Sequence, residues 1–290
     1  MQGRVIKLIS NKWTVECDKK YYECSSIGKF RYQKISPLVG DMVDFDLEKC
    51  IITKILPRKN ELIRPPIANI DEAIILVSCK EPNFSSNLLD KMLVVIEYNN
   101  VVPVICFTKY DLLASTREID EAINYYKSIG YKVFINDDLT NIESLLKGKL
   151  SVLTGQTGVG KSSLLNNLKK GLNLATGEIS KALGRGRHTT RHVELLEVAG
   201  GLVADTPGFS SLNFNGMDKK DIKDNFVEFY QNEDKCKYKD CMHLKEDGCY
   251  IKELVEKGKI RKTRYENYKK FIESIEELKK VRKWKFLYQY

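Results

Sequence analysis

Short apolar segments separated by polar turns fill the first 60 residues. They are rich in β-branched and aromatic residues and lack helical periodicity, which predicts strands. The predicted strands are 4–9, 13–17, 21–24, 41–45 and 51–55. Five consecutive short strands favour an OB-type barrel, although a generic β domain fits the same pattern.

Longer apolar runs follow a break at Arg64-Pro65-Pro66. The runs at 71–78, 101–107 and 150–154 are typical of buried strands, whereas 162–168 and 268–278 carry apolar residues at helical spacing. An α/β architecture follows. We predict three domains: a barrel at 1–62, an α/β domain at 63–212 and a C-terminal domain at 213–290.

Residues 155–163 read GQTGVGKSS, a complete phosphate-binding loop between a predicted strand and a predicted helix. Its glycines turn the backbone so that N–H groups face phosphate, Lys161 reaches the β- and γ-phosphates, and the Ser162 hydroxyl can ligate Mg²⁺. A chance match in a glycine-rich turn is the alternative. The predicted nucleotide contacts are Gly155, Gln156, Thr157, Gly158, Val159, Gly160, Lys161, Ser162 and Ser163.

A second phosphate-side motif, Asp205-Thr206-Pro207-Gly208, follows the apolar residues 202–204. Asp205 would hold Mg²⁺, and the Gly208 amide could meet the γ-phosphate. Because Asp, Pro and Gly all form turns, the same string also fits an ordinary turn.

A possible base-reading motif, Thr108-Lys109-Tyr110-Asp111, ends the apolar run 101–107 and lies upstream of the phosphate loop. A carboxylate there can accept hydrogen bonds from N1–H and N2–H₂ of guanine, so Asp111 would select GTP over ATP. The motif resembles the Asn-Lys-x-Asp of the GTPase superfamily, with threonine in place of asparagine. In that superfamily the phosphate loop usually comes first, so the order here indicates circular permutation.

The segment 184–191, GRGRHTTR, lies between the two phosphate-side motifs. Thr189 or Thr190 could supply the Mg²⁺-ligating switch hydroxyl. Phe209 stands where many small GTPases have a water-orienting glutamine, so His188 is the candidate for positioning water. The predicted catalytic residues are therefore His188, Lys161, Thr189 and Thr190, although such a segment is also typical of a mobile solvated loop.

Three of the eight cysteines and one of the three histidines cluster near the C-terminus in the pattern C-x4-C-x-H-x5-C, formed by Cys236, Cys241, His243 and Cys249. Three thiolates and one imidazole satisfy a closed, structural Zn²⁺ site. Four unrelated loop residues are the alternative. The other cysteines are scattered among apolar residues, as expected for free thiols in a reducing compartment.

The net charge of +9 is concentrated at the C-terminus, where residues 251–290 contain thirteen Lys/Arg and six Glu. We expect the lysines and arginines of this segment to face outward, either as a solvated face or to attract nucleic-acid phosphate. The sequence has no apolar run of membrane-spanning length and no signal-peptide pattern, so we expect a cytoplasmic protein that does not bind membranes.

Taken together, the barrel, TKYD, GQTGVGKSS, GRGRHTTR, DTPG and the cysteine cluster resemble the bacterial ribosome small subunit-dependent GTPase family along the whole chain. The resemblance implies an OB-type barrel, a circularly permuted P-loop GTPase domain and a zinc-binding helical domain. It also implies GTP/GDP with Mg²⁺, one structural Zn²⁺, and a monomer that binds the 30S subunit and its 16S rRNA. Such a protein would assist late maturation of the subunit, hydrolysing GTP slowly alone and faster on the subunit.

Two other functions remain open from the residues. One is an ATP-dependent small-molecule kinase that uses the same phosphate loop, as Thr108 departs from the base motif. The other is a zinc-stapled RNA-binding module in which the nucleotide only regulates affinity.

Overall fold

The computed structural model describes residues 1–33, 35–63, 66–136, 138–169, 193–205, 214 and 216–287. The described residues group into two compact units. Unit 1 draws on residues 1–82, 99–113 and 134–211, and unit 2 on residues 83–98, 114–133 and 212–290. Each unit is assembled from separate stretches of chain, and the boundaries near residues 62 and 212 stay predictions.

The strands of the described chain are β1 (Gln2–Ile9), β2 (Lys12–Cys17), β3 (Lys20–Ser26), β4 (Met42–Asp46), β5 (Ile51–Ile55), β6 (Glu61–Ile63), β7 (Pro66–Ala68), β8 (Glu72–Ser78), β9 (Val102–Thr108), β10 (Lys132–Ile135), β11 (Leu150–Thr154), β12 (Val193–Val198) and β13 (Gly201–Asp205). The helices are α1 (Lys29–Tyr32), α2 (Ser86–Tyr98), α3 (Arg117–Ser128), α4 (Leu139–Leu146), α5 (Lys161–Leu168), α6 (Lys219–Asp224), α7 (Val227–Tyr230), α8 (Tyr250–Glu256) and α9 (Lys262–Leu287). Short 3₁₀ turns cover Tyr110–Leu112 and Glu233–Lys235.

The five predicted N-terminal strands form a closed barrel. β1 pairs with β2, β2 with β3, β3 with β5, β5 with β4, and β4 with β1. Alternate side chains point inward and are almost completely buried, including Val5, Val15, Val43, Phe45 and Ile52. The OB-type prediction is confirmed, and the strand ends differ from the predicted ones by at most two residues.

The α/β sheet follows the strand order β10-β9-β8-β11-β13-β12. β8 runs parallel to β9 and β11, and β11 runs parallel to β13, whereas β12 is antiparallel to β13. Every residue of β8 and β11 is buried, as expected for continuous apolar strands in the middle of a parallel sheet. On one face, α4 and α5 contribute Leu145, Leu146, Leu164 and Leu165 to a core shared with the sheet.

Strand β1 belongs to both the barrel and this sheet. One of its edges pairs with β2, while the other is divided between two partners. Gly3 pairs with Val43 of β4, and Lys7 and Leu8 pair with Glu194 and Val193 of β12. A register shift between Val5 and Lys7 interrupts the ladder with β2, as a bulge does when a strand changes direction.

Unit 2 is helical around an aromatic core. The rings of Phe226, Phe229, Tyr268 and Phe271 pack with Phe226–Phe229 and Phe229–Tyr268 centroid separations of 5.0 Å. The helix predicted at 268–278 is confirmed within α9, which begins six residues earlier.

One expectation about α9 is wrong, because Arg264 does not face outward. Its side chain is 1% exposed and binds Glu228 through Nε at 2.6 Å and Nη2 at 3.0 Å. Nη1 of the same guanidinium donates to Asp90 Oδ1 at 2.7 Å. Tyr126 and Asn267 also donate to Asp90, at 2.6 and 2.7 Å, so its buried charge is paired and hydrogen-bonded.

No helix of the described residues is both long enough and apolar enough to span a bilayer.

Candidate nucleotide site and metal centre

The carboxyl ends of the parallel strands meet at one edge of the sheet. Ser78 of β8 is in register with Thr108 of β9, and β11 and β13 end at Thr154 and Asp205 on the same side. This edge is where open α/β sheets bind ligands. The topology therefore brings TKYD, the phosphate loop and the start of DTPG together, although they are far apart in the chain.

The phosphate loop joins β11 to α5, as predicted. Gly155 has φ +144°, and a Cβ at this position would lie 2.5 Å from the Leu76 carbonyl oxygen, so only glycine fits. Gly160 adopts φ +96° at the N-cap of α5. Backbone amides at the start of a helix carry partial positive charge, so the loop is suited to bind an anion.

Lys161 is the first residue of α5 and folds back over the loop. Its Nζ donates to the carbonyl oxygens of Gly155 and Gln156, both at 2.7 Å. The next residue, Ser162, is 9% exposed at the same helix start. The loop is thus closed by its own cation, and Ser162 sits where a hydroxyl ligand to Mg²⁺ is expected.

The base-reading segment follows β9 directly. Thr108 is buried and its Oγ1 donates to the Val159 carbonyl oxygen at 2.7 Å. Lys109 has φ +57°, and its ammonium donates to the Glu81 carbonyl. Asp111 lies exposed in the 3₁₀ turn. The turn therefore presents the carboxylate to solvent, while the two residues before the turn are fixed by hydrogen bonds within unit 1.

A neighbouring segment at the end of β8 also reaches this edge. Cys79 is buried, and burial together with the negative charge of Asp111 raises its thiol pKa to about 11. The thiol is therefore neutral at physiological pH. The Pro82 side chain lies 3.9 Å from the position that a Cβ on Gly158 would occupy. Sequence reasoning missed this segment because its residues match no phosphate or base motif.

Several predicted residues fall outside the described part of the chain. His188, Thr189, Thr190 and Gly208 are among them, and of Asp205 only the backbone, at the end of β13, is described. Their predicted roles stay predictions.

The cysteine and histidine cluster is compact. The ligand atoms of Cys236, Cys241, His243 and Cys249 all lie within 4.8 Å of one another. His243 Nδ1 is 3.6 Å from Cys236 Sγ and 3.4 Å from Cys249 Sγ. Tetrahedral zinc, with bonds of about 2.3 Å to sulfur and 2.0–2.1 Å to nitrogen, places such atoms roughly 3.6 Å apart. The donor set and its spacing fit Zn²⁺.

The loop carrying His243 is fixed by side chains that are not ligands. Glu246 accepts from the Met242 and Leu244 amides at 2.9 and 2.7 Å. From α9, the Tyr265 and Tyr268 hydroxyls donate to the carbonyls of His243 and Met242 at 2.7 and 2.5 Å. These bonds hold the turn, in which His243 has φ +59°, with Nδ1 toward the thiols.

The protonation state of His243 also suits a ligand. Burial lowers its pKa to about 4, so the imidazole is neutral at physiological pH. Burial raises the thiol pKa of Cys241 and Cys249, so these thiols remain protonated unless a cation is present. Metal binding at this cluster would therefore release protons.

Comparison with known proteins decides the family. The RsgA GTPase family model matches residues 55–215, and the RsgA N-terminal domain model matches residues 2–50. A model described as 50S ribosome-binding GTPase matches residues 151–281. The chain belongs to the RsgA GTPase family. Like other members of the RsgA GTPase family, it is a GTPase that hydrolyses GTP to GDP and phosphate.

Individual RsgA relatives match along almost the whole chain. The small ribosomal subunit biogenesis GTPase RsgA of Bacillus velezensis is 45% identical over 96% of this chain and 98% of its own length. Among solved structures, YloQ, a circularly permuted GTPase, superposes with a TM-score of 0.80 at 37% identity, over 95% of each chain. YjeQ from Thermotoga maritima gives 0.82 at 36% identity, over 94% of this chain and 98% of that one.

The RsgA comparisons confirm the predicted fold class, including the permuted order of motifs. They also decide against the kinase alternative, because the matched family consists of GTPases. Sequence reasoning missed the groups that support the sites, above all Thr108 as a hydrogen-bond donor to the loop and Glu246 beside the metal ligands. The position of Glu246, three residues from both His243 and Cys249, was a signal for its capping role.

Proposed function

We propose that this GTPase assists late maturation of the small ribosomal subunit, binding the 30S particle and its 16S rRNA and hydrolysing GTP faster there than alone. The observation that carries the proposal is the convergence of Thr108–Asp111 and the phosphate loop at one sheet edge, joined by the Thr108–Val159 hydrogen bond of 2.7 Å. The choice of partner is supported by relatives that are named as small ribosomal subunit biogenesis GTPases.

In this site each residue has a separate role. Residues 155–163 would bind the phosphates through amides and the Lys161 ammonium, and Asp111 would accept from the guanine N1–H and N2–H₂. Ser162, Thr189 or Thr190, and Asp205 would hold Mg²⁺, which neutralises charge on the phosphate oxygens. His188 would position water, and the Gly208 amide would meet the γ-phosphate.

The three predicted domains would act together in docking on the small subunit. We propose that residues 1–62, 63–212 and 213–290 serve as barrel, GTPase and zinc-binding domains of a cytoplasmic monomer, with Zn²⁺ on Cys236, Cys241, His243 and Cys249. The bound γ-phosphate would strengthen docking on rRNA, and hydrolysis would release the protein. The basic C-terminal residues support binding to RNA phosphate.

The test measures GTP hydrolysis with and without purified small subunits at low and high salt. We expect the subunit to raise the rate, and salt to weaken the stimulation because it screens phosphate contacts. Lys161→Ala should lose roughly 100-fold or more in rate because its cation stabilises the transferring phosphate. Lys147→Ala, on an exposed residue of the same unit, is the matched control. An unchanged rate on adding subunits at low salt would contradict the proposal.

A further inference from the structure

Thr108 stands at the meeting point of the base-reading strand and the phosphate loop. It is the last residue of β9 and is 2% exposed. Its Oγ1 lies 2.7 Å from the carbonyl oxygen of Val159 and 3.5 Å from that of Val77. Val159 lies between the two glycines that shape the loop and is itself 1% exposed. The shorter of the two contacts is therefore a buried bond between β9 and the phosphate loop.

The Thr108 hydroxyl can donate only one hydrogen bond, which limits its further contacts. A hydroxyl has one proton to donate, and here the Val159 carbonyl accepts it. Guanine offers N1–H and N2–H₂ as donors, and O6 and N7 as acceptors. The Asp111 carboxylate can pair only with the donors, so the acceptors need an N–H or O–H from elsewhere. The Thr108 hydroxyl has no second proton to give.

We propose that Thr108 is a positioning residue that ties the base-reading segment to the phosphate loop, and that this position leaves guanine N7 unread. The inference rests on the proposed binding of a guanine nucleotide at this edge. An asparagine amide at the same position carries two hydrogens, one of which could keep the Val159 bond while the other donates to the purine. Residue 108 thus decides whether N7 contributes to specificity.

The hydrogen bond from Thr108 to Val159, which we call the tether, has a definite consequence for nucleotide binding. The Val159 carbonyl belongs to the peptide whose N–H is that of Gly160, at the turn into α5. Fixing this peptide fixes the direction of an amide in the phosphate-binding turn. Loss of the Thr108 hydroxyl should therefore weaken binding of every guanine nucleotide to a similar degree, because it disturbs the phosphate side and leaves the base contact to Asp111.

The experiment is calorimetry with Mg²⁺ and two ligands, GDP and 7-deazaguanosine diphosphate, which has carbon in place of N7. We expect the wild type to bind both within about twofold. Thr108→Val should weaken both by roughly tenfold, the effect of leaving a buried carbonyl unpaired. Thr108→Ser should restore the affinity, since it keeps the hydroxyl. Thr108→Asn should bind GDP more tightly than the 7-deaza analogue.

Each result bears on a separate part of the inference. Equal GDP affinity for the wild type and Thr108→Val would overturn the tether. A wild-type preference for GDP over the 7-deaza analogue, or equal binding of the two ligands by Thr108→Asn, would overturn the assignment of N7. If Thr108→Val does not fold, judged by thermal unfolding, Thr108→Ala and Thr108→Ser provide the same comparison. A wild type that binds neither ligand would instead contradict the proposed function.

Discussion

At the residue scale, two charged groups at the sheet edge, the Lys161 ammonium and the Asp111 carboxylate, have different surroundings. The Lys161 ammonium is bound to the Gly155 and Gln156 carbonyls, whereas Asp111 is exposed in the middle of a 3₁₀ turn. An ammonium attracted by carbonyls can transfer to phosphate oxygens without a change in the fold. An exposed carboxylate needs only a ligand with two adjacent donors. Binding at both ends therefore requires little rearrangement of the described residues.

The role of Asp111 can be tested by substituting this residue and replacing the guanine of the ligand by a base that matches the substitution. Asp111→Asn should shift preference from guanosine to xanthosine nucleotides, because xanthine has a carbonyl acceptor where guanine has its amino donor. Loss of the paired contact should reduce GDP affinity by roughly 10-fold or more. Competition between GDP and xanthosine diphosphate for the purified protein measures the shift.

Glu48→Gln is the matched control, since Glu48 is an exposed acid in a turn of the barrel. It should leave both affinities unchanged. If Asp111→Asn still prefers GDP to xanthosine diphosphate as strongly as the wild type does, Asp111 does not contact the base.

The sequence predicted which residue types meet at the edge, but not how they support one another. TKYD and GQTGVGKSS have fixed spacings, so their elements could be assigned from the pattern alone. The Thr108–Val159 bond joins residues 51 positions apart and depends on β8 lying between β9 and β11. Local patterns carry no information about that strand order.

At the element scale, α9 shows why a helix pattern can mislead. Its apolar positions correctly predicted a buried stripe, but Arg264 and Asn267 lie on that stripe and are buried with it. The charge of Arg264, taken alone, predicted that its side chain faces solvent. The better signal was Asp90, an acid within the apolar run of α2, because a buried carboxylate requires a partner.

The metal-binding loop is the element where ligand removal should have the largest effect. Cys249→Ser should lower the zinc content of purified protein well below one equivalent and reduce stability by several kcal/mol, because metal binding contributes directly to folding in such sites. Cys50→Ser, on a partly exposed cysteine of the barrel, should keep the metal. Metal analysis and thermal unfolding are the measurements.

A chelator provides the second arm of that experiment. Removing metal from the wild type should reproduce the lowered unfolding temperature of Cys249→Ser and leave Cys249→Ser itself unaffected. A purified wild type that contains no zinc, and that does not gain stability on adding it, would contradict the metal assignment.

At the scale of the whole molecule, unit 2 is built from stretches of chain that are distant in sequence, and one ion cluster ties them together. Arg264 of α9 reaches Asp90, 174 residues earlier, and Glu228 of α7. The Tyr125 and Tyr126 hydroxyls of α3 donate to the same two carboxylates. The cluster therefore fixes four helices relative to one another inside this unit.

Arg264→Met should destabilise the protein by about 3–5 kcal/mol, since it leaves two buried carboxylates without their cation. Lys262→Met, on an exposed residue of the same helix, should change stability by less than about 0.5 kcal/mol. Urea unfolding of both variants measures the difference. A loss for Arg264→Met no larger than that of Lys262→Met would show that the cluster contributes little net stability.

The divided edge of β1 has a consequence for synthesis. The strand is synthesised long before the partner of Lys7 and Leu8, which lies at residues 193 and 194. While the nascent chain is shorter than that, the second half of β1 has open amide and carbonyl groups on one side, and such edges invite pairing with other chains. This edge of β1 can pair within the chain only after residue 194 has emerged, so aggregation during translation should depend on the rate at which residues 10–194 are synthesised.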